Sequence, residues 1–192
     1  MIAFKRNQPV LQVGRHQVTN YDSEWLYDGL RRAMHAADHD DFPLVNEVCH
    51  ATFEYLENLA PLQLMPIESL ISKMRKLLEQ MGFGVIAEEL RPFAPPIQIC
   101  LRRLVEESGC AMEMLLFSLL RKEMDDLGHA GAREVRLLHV RDCVMHVRGA
   151  RQWDRGCQRL LAELCGFLRG FDEQVQTTTK EASVVLHLDG VR

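Results

Sequence analysis

Two neighbouring cations near the start of the chain, Lys5 and Arg6, could bind a phosphate group. They follow the apolar residues 2–4 and precede the turn-forming Asn7-Gln8-Pro9 and a second apolar run. An ammonium beside a forked guanidinium suits a triphosphate, because together they supply a point charge and paired N–H donors. Equally, the two cations could protect an exposed edge strand from aggregation. Which interpretation holds depends on the strands and helices that position Lys5 and Arg6.

Two further groups contain metal-type ligands, but we predict no metal site. The first comprises His35, Asp38, His39, Asp40 and Asp41, and the second comprises His139, Cys143 and His146. Acidic residues are common just before a helix starts, which explains the first group. If the second group lies on a strand, His139 and His146 point to opposite faces.

No motif of a known catalytic site occurs in the chain. The nucleophile elbow, the phosphate-binding loop, the dinucleotide-binding glycines and the zinc-protease histidines are all missing from the sequence. We therefore expect a protein that is not an enzyme.

Length and composition indicate an ordinary globular protein. The 192 residues are 47% hydrophobic and 26% charged, enough for one large domain or two small ones. No apolar run approaches the roughly 18 residues of a membrane span, and no signal-peptide pattern follows Lys5 and Arg6. The six cysteines form no C-x-x-C pair. We expect a cytoplasmic protein without disulfides and without contact to a membrane.

Charge is distributed unevenly along the chain. Residues 1–93 contain 9 Lys/Arg and 13 Asp/Glu, whereas residues 94–192 contain 14 of each. Within the second half, one stretch is rich in arginine: Arg133, Arg136, Arg141, Arg148, Arg151, Arg155 and Arg159. This stretch is a candidate surface for nucleic acid or another anionic partner, although such arginines are more often solvated.

The first half of the chain predicts a small sheet followed by four helices. The β-prone pieces are IAFKR, VLQVG and HQVTN, separated by Asn7-Gln8-Pro9 and by Gly14-Arg15. Helical spacing of apolar residues then covers residues 21–41, 42–60, 65–82 and 83–93. The prolines of residues 94–96 indicate a linker.

The second half predicts a mixed α/β domain. We expect helices over residues 96–109, 110–128 and 151–171, and a strand over residues 183–190. Residues 133–149 are rich in valine and favour a hairpin about Arg141-Asp142, with a single helix as the alternative. No internal repeat is visible in the sequence.

Residues 2–92 resemble the ATP-cone, a small regulatory domain found at the N-terminus of many ribonucleotide reductases. The resemblance rests on Lys-Arg in a β-hairpin, an aromatic-Asp pair before the first helix, and an apolar pattern in the last helices. The matching positions are Phe4-Lys5-Arg6-Asn7, Tyr21-Asp22, Leu30 with Ala33, Ile67 to Leu78, Gly82 and Ile86-Ala87.

This resemblance implies that residues 1–93 form an ATP-cone-like domain, a β-hairpin sheet on four helices. It leaves the second half unexplained, and from the pattern of residues 94–192 we expect a C-terminal α+β domain of unknown role. The expected fold is therefore α+β and predominantly helical, with two domains. Lys5 and Arg6 would contact the phosphates of ATP or dATP, with or without magnesium. Ala3 and Phe4 would shape the base pocket, and Asn46 and His50 would face the nucleotide.

The implied function is nucleotide sensing with allosteric regulation. Binding of the nucleotide would be signalled through homo-oligomerisation or a protein partner. One alternative is a non-catalytic scaffold that keeps the cone fold without ligand and self-associates through the Met- and Leu-rich residues 110–127. Another is a regulator that binds nucleic acid through its arginine-rich stretch.

Overall fold

The computed structural model describes residues 8–59, 63–109, 112–178 and 185–188. Within these ranges the protein is α+β and predominantly helical, which confirms the predicted fold class. The chain divides into two compact units. Unit 1 comprises Met1–Pro95 with His129–Ala132, and unit 2 comprises Pro96–Gly128 with Arg133–Arg192.

Unit 1 contains a three-stranded sheet in the order β2-β1-β3. β1 (Val10–Val13) and β2 (His16–Val18) form an antiparallel hairpin, and β3 (Leu64–Pro66) pairs in parallel with β1. Gly14 adopts a φ of +56° in the hairpin turn, where a side chain would be strained. The VLQVG and HQVTN strands are therefore confirmed.

The described hairpin turns at Gly14-Arg15 and not at Asn7-Gln8-Pro9. β1 has β2 on one edge and β3 on the other, so it has no free edge for another strand. The predicted IAFKR strand lies outside the described residues.

Four helices follow in unit 1, as the apolar spacing predicts. They are α1 (Glu24–Ala36), α2 (Val45–Glu57), α3 (Ile67–Gln80) and α4 (Gly84–Glu89). The apolar face predicted for α1 is buried, including Leu26 and Leu30. Phe93, which follows α4, packs against α1 with its ring centroid 5.4 Å from that of Trp25.

Unit 2 repeats the order strand, short helix, long helix. The first repeat comprises β4 (Ile97–Cys100), α5 (Leu101–Ser108) and α6 (Glu113–His129). The second comprises β5 (Glu134–Leu138), α7 (Val140–Arg148) and α8 (Arg155–Thr178), after which β6 (Val185–Leu188) closes the order. All three strands are parallel in the order β4-β5-β6.

One face of β4 and β5 is buried, and the other is exposed. Ile97, Ile99, Val135 and Leu137 are buried, whereas the alternate residues Gln98 and Arg136 are exposed. This alternation indicates that the helices of unit 2 cover one side of these two strands.

Two local predictions for the second half are wrong. Residues 97–100 form β4 and not the beginning of a helix, because Ile97 and Ile99 alternate inward before helical spacing starts at Leu101. Residues 133–149 are neither a hairpin nor a single helix. They form β5 and α7, joined at His139, whose left-handed φ of 57° turns the chain directly from strand to helix. The predicted helices over 110–128 and 151–171 and the last strand are confirmed.

Candidate functional site

The best-defined polar cluster of unit 1 lies where the sheet joins α1. The buried Tyr21 hydroxyl donates a 2.9 Å hydrogen bond to the carbonyl oxygen of Pro9. The Asp22 carboxylate accepts a hydrogen bond from the Glu24 N–H at 3.0 Å. The backbone carbonyl oxygen of Asp22 accepts a second one from Trp25 Nε1 at 2.9 Å. Burial is the main cause that raises the pKa of Tyr21 above its ordinary value, so this hydroxyl remains a donor. The aromatic-Asp pair thus fixes both the helix start and the chain just before β1.

Gln8 is a polar residue of this region that sequence reasoning treated only as part of a turn. Its side chain is 5% exposed, and its Nε2 atom has no hydrogen-bond partner among the described residues. A buried donor without a partner costs on the order of 1–3 kcal/mol, so such groups call for an explanation. No sequence signal distinguishes this glutamine from an exposed one, because it stands between turn-forming neighbours.

Four of the predicted nucleotide-binding residues, Ala3, Phe4, Lys5 and Arg6, lie outside the described residues. Their proposed contacts stay a prediction. The nearest described residues in the chain are Gln8 and Pro9.

The other two predicted residues, Asn46 and His50, lie one turn apart on the exposed side of α2. His50 Nε2 lies 3.7 Å from Glu54 Oε1, and both side chains are largely in solvent. Cys49, beside His50 in sequence, is fully buried, and burial raises the pKa of its thiol to about 12. This thiol is therefore protonated near neutral pH and is a poor nucleophile.

The metal-type ligands do not assemble in the described part of the chain. His35 Nδ1 lies 3.3 Å from Asp40 Oδ1 in an exposed pair, and His139 Nδ1 lies 3.5 Å from Asp142 Oδ2 in another. Among the described residues, no three His, Cys, Asp or Glu side chains are grouped so that they could hold a metal ion.

Most of the arginines in residues 133–159 already contact a carboxylate or an aromatic ring. Arg136 pairs with Glu134 at 2.8 Å, and the Arg141 guanidinium lies 4.4 Å from the centroid of Trp153. Arg148 pairs with Glu113, and Arg159 lies 3.9 Å from Glu163. These contacts are typical of a solvated basic surface, and nucleic-acid binding by the stretch stays a prediction.

No family model, no curated protein and no solved structure matches the chain. Over the described residues, every helix is too short or too polar to cross a membrane. The function is therefore inferred from the chain's own residues and geometry.

Proposed function

We propose that unit 1 is a nucleotide-sensing regulatory module that binds ATP or dATP, as an ATP-cone does. In this proposal Lys5 and Arg6 contact the phosphates, Ala3 and Phe4 contact the base, and the bound state is signalled through self-association or a protein partner. The order of elements in the described residues supports the proposal, because the aromatic-Asp pair and four helices follow one another as the resemblance implies. The hairpin strand that would hold Lys5 and Arg6 lies outside these residues.

The hydrogen bond from Tyr21 to Pro9 carries the proposal. It ties the chain just before β1 to the start of α1, and Arg6 precedes Pro9 by only three residues. Since an extended residue spans at most about 3.6 Å, Arg6 is confined to within about 11 Å of Pro9. A phosphate that this basic pair contacts would therefore lie near the start of β1 and α1.

Nε2 of Gln8, which has no hydrogen-bond partner among the described residues, gives further support. This buried donor, two positions after Arg6 in the sequence, gains a partner if a nucleotide lies beside it, which offsets the cost of its burial. ATP and dATP offer phosphate oxygens as acceptors for Lys5 and Arg6, and ring nitrogens of the base as acceptors for the amide of Gln8.

Thermal unfolding of the full chain tests the proposal. With about 100 times the dissociation constant of ATP or dATP present, we expect about 2.7 kcal/mol of added stability and a higher Tm, with AMP giving less. The variant Lys5→Ala/Arg6→Ala should fold and lose this shift. Arg31→Ala/Arg32→Ala is the matched control, because it also removes two adjacent cations, from the exposed side of α1. A nucleotide shift that survives in the Lys5→Ala/Arg6→Ala variant would remove the proposed phosphate contacts.

A second candidate function, a scaffold that self-associates without nucleotide, is favoured by the exposed apolar side chains around the start of α6. Met112, Met114 and Leu115 are 62%, 79% and 52% exposed, which is unusual for three such residues within four positions. Sedimentation velocity over a dilution series, with and without ATP, separates the two functions. Self-association that is the same with and without ATP, in a chain whose Tm does not change with nucleotide, would favour the scaffold. A chain that is monomeric at every concentration would exclude the scaffold.

A further inference from the structure

A groove between α2 and α3 lies apart from the residues proposed to bind nucleotide. Its volume is about 360 Å³, and both walls belong to unit 1. Three apolar side chains of α3, Leu70, Met74 and Leu77, lie on its floor, spaced i, i+4, i+7 along one stripe of the helix. Leu70 and Met74 are buried, and Leu77 is half-buried.

A second stripe of α3 runs beside the apolar one and carries N–H donors. It consists of Lys73, Lys76 and Gln80, all exposed, spaced i, i+3, i+7. On the α2 wall, the ring of half-buried Tyr55 lies under Lys73, with 5.0 Å between Nζ and the ring centroid. This contact holds one ammonium at the mouth of the groove.

The charged side chains that line the groove are both cations. They are Lys73 and Lys76, although residues 1–93 as a whole contain 13 Asp/Glu against 9 Lys/Arg. Within the described part of the chain, neither lysine has an ion-pair partner. Two cations without an ion-pair partner among the described residues, beside an apolar floor, are complementary to a ligand with adjacent acidic and apolar faces.

We propose that this groove binds an acidic amphipathic helix of a partner protein. Each stripe extends about 10 Å along α3 at 1.5 Å per residue, the apolar one from Leu70 to Leu77 and the donor one from Lys73 to Gln80. An amphipathic helix lying along α3 matches both stripes over that length, with apolar anchors one turn apart and carboxylates beside them. A small acyl anion has its charge at one end only and leaves most of the donor stripe without a partner.

The test measures binding of the full chain to two fluorescein-labelled peptides of about two heptads, by fluorescence anisotropy. The first peptide is built from leucine, alanine and glutamate in an amphipathic pattern, and the second has lysine in place of every glutamate. We expect saturable binding of the acidic peptide and at least tenfold weaker binding of the basic one. The variant Lys73→Gln/Lys76→Gln should bind the acidic peptide roughly tenfold more weakly, because it loses two exposed charge pairs with the peptide. Arg31→Gln/Arg32→Gln, with the same change in charge on α1, should leave its affinity unchanged.

Four results would overturn the proposal. Equal affinities for the two peptides, or an acidic peptide that binds the Lys73→Gln/Lys76→Gln variant as tightly as the natural chain, would show that the groove is not the site. Saturable binding of decanoate without peptide binding would show a pocket for small anions. Self-association of the chain that disappears in the Lys73→Gln/Lys76→Gln variant would identify a second copy as the occupant. Because the experiment omits nucleotide, its failure is distinguishable from failure of the nucleotide proposal.

Discussion

At the scale of single residues, Gly29 is a position of unit 1 with no room for a side chain. It lies inside α1, where alanine would ordinarily be favoured by about 1 kcal/mol. A Cβ at Gly29 would nevertheless lie 2.4 Å from two carbon atoms of the Phe93 ring, well inside van der Waals contact. Phe93 is buried and packs on Trp25, so the ring cannot move without disturbing the core.

We therefore expect Gly29→Ala to destabilise the protein by roughly 1–3 kcal/mol, the range for overpacked cores, in urea unfolding. Gly166→Ala is the matched control. Gly166 is also inside a helix, α8, but a Cβ there meets no atom within 4 Å. This control should gain roughly 0.5–1 kcal/mol from helix propensity. Equal stability of the two variants would mean that Phe93 yields to the added methyl group.

At the scale of elements, the long helix α8 begins at a side-chain cap supplied by Asp154. Its Oδ1 accepts a 2.7 Å hydrogen bond from the Cys157 N–H, one of the backbone donors that a helix start leaves unpaired. Chiefly because of this bond, the pKa of Asp154 lies below its ordinary value. A carboxyl group whose pKa is lowered by folding stabilises the native state above its ordinary pKa, and this contribution is lost as pH falls through the lowered value.

Two substitutions at Asp154 separate the cap from its charge. At neutral pH we expect Asp154→Ala to be less stable than Asp154→Asn, because the amide oxygen can still accept the hydrogen bond. The difference in unfolding free energy between the natural chain and Asp154→Asn should shrink as pH falls from about 4, the ordinary pKa of an aspartate, through the lowered pKa of Asp154 in the folded protein. Glu163→Gln, on the same helix but without a capping role, is the control for a lost charge. A gap that persists unchanged into acid would show that charge at the cap does not matter.

The same scale shows what sequence reasoning could and could not predict. The four helices of unit 1 follow from apolar spacing, and Tyr21-Asp22 correctly marked the start of α1. β3 was not predicted, because its three residues pair with β1 more than fifty positions away and include Pro66. β4 was assigned to a helix because it passes into α5 without a loop. The alternating apolar residues of the strand are followed at once by the helical spacing of α5, and the two patterns look like one apolar segment.

The candidate site shows the same limit. Burial of Gln8 and the hydrogen bond from Tyr21 to Pro9 depend on how the sheet meets α1, which no local pattern reveals. The groove between α2 and α3 could not be predicted either, because its two stripes on α3 form a groove only where α2 lies beside them.

At the scale of the whole molecule, the chain enters unit 1 twice. Residues 129–132 return to it between α6 and β5, and Ala94 N–H donates to the carbonyl oxygen of Gly131 at 3.0 Å. Gly131 has a φ of +86°, and a Cβ there would lie 2.4 Å from the carbonyl carbon of Pro92. Both the backbone angle and the close approach therefore require glycine.

The two tryptophans make this double entry testable, because Trp25 belongs to unit 1 and Trp153 to unit 2. In a Trp153→Phe background, we expect Gly131→Ala to lower the stability reported by Trp25 fluorescence by roughly 1–3 kcal/mol. Gly149→Ala, at a left-handed glycine of unit 2 with no atom near its added Cβ, should cost about 1 kcal/mol, reported by Trp153 in a Trp25→Phe background. Each substitution should shift the midpoint of its own unit more than that of the other. If Gly131→Ala leaves the Trp25 transition in place and, made in the Trp25→Phe background, shifts the Trp153 transition instead, residues 129–132 stabilise unit 2, and the division of the chain must be redrawn.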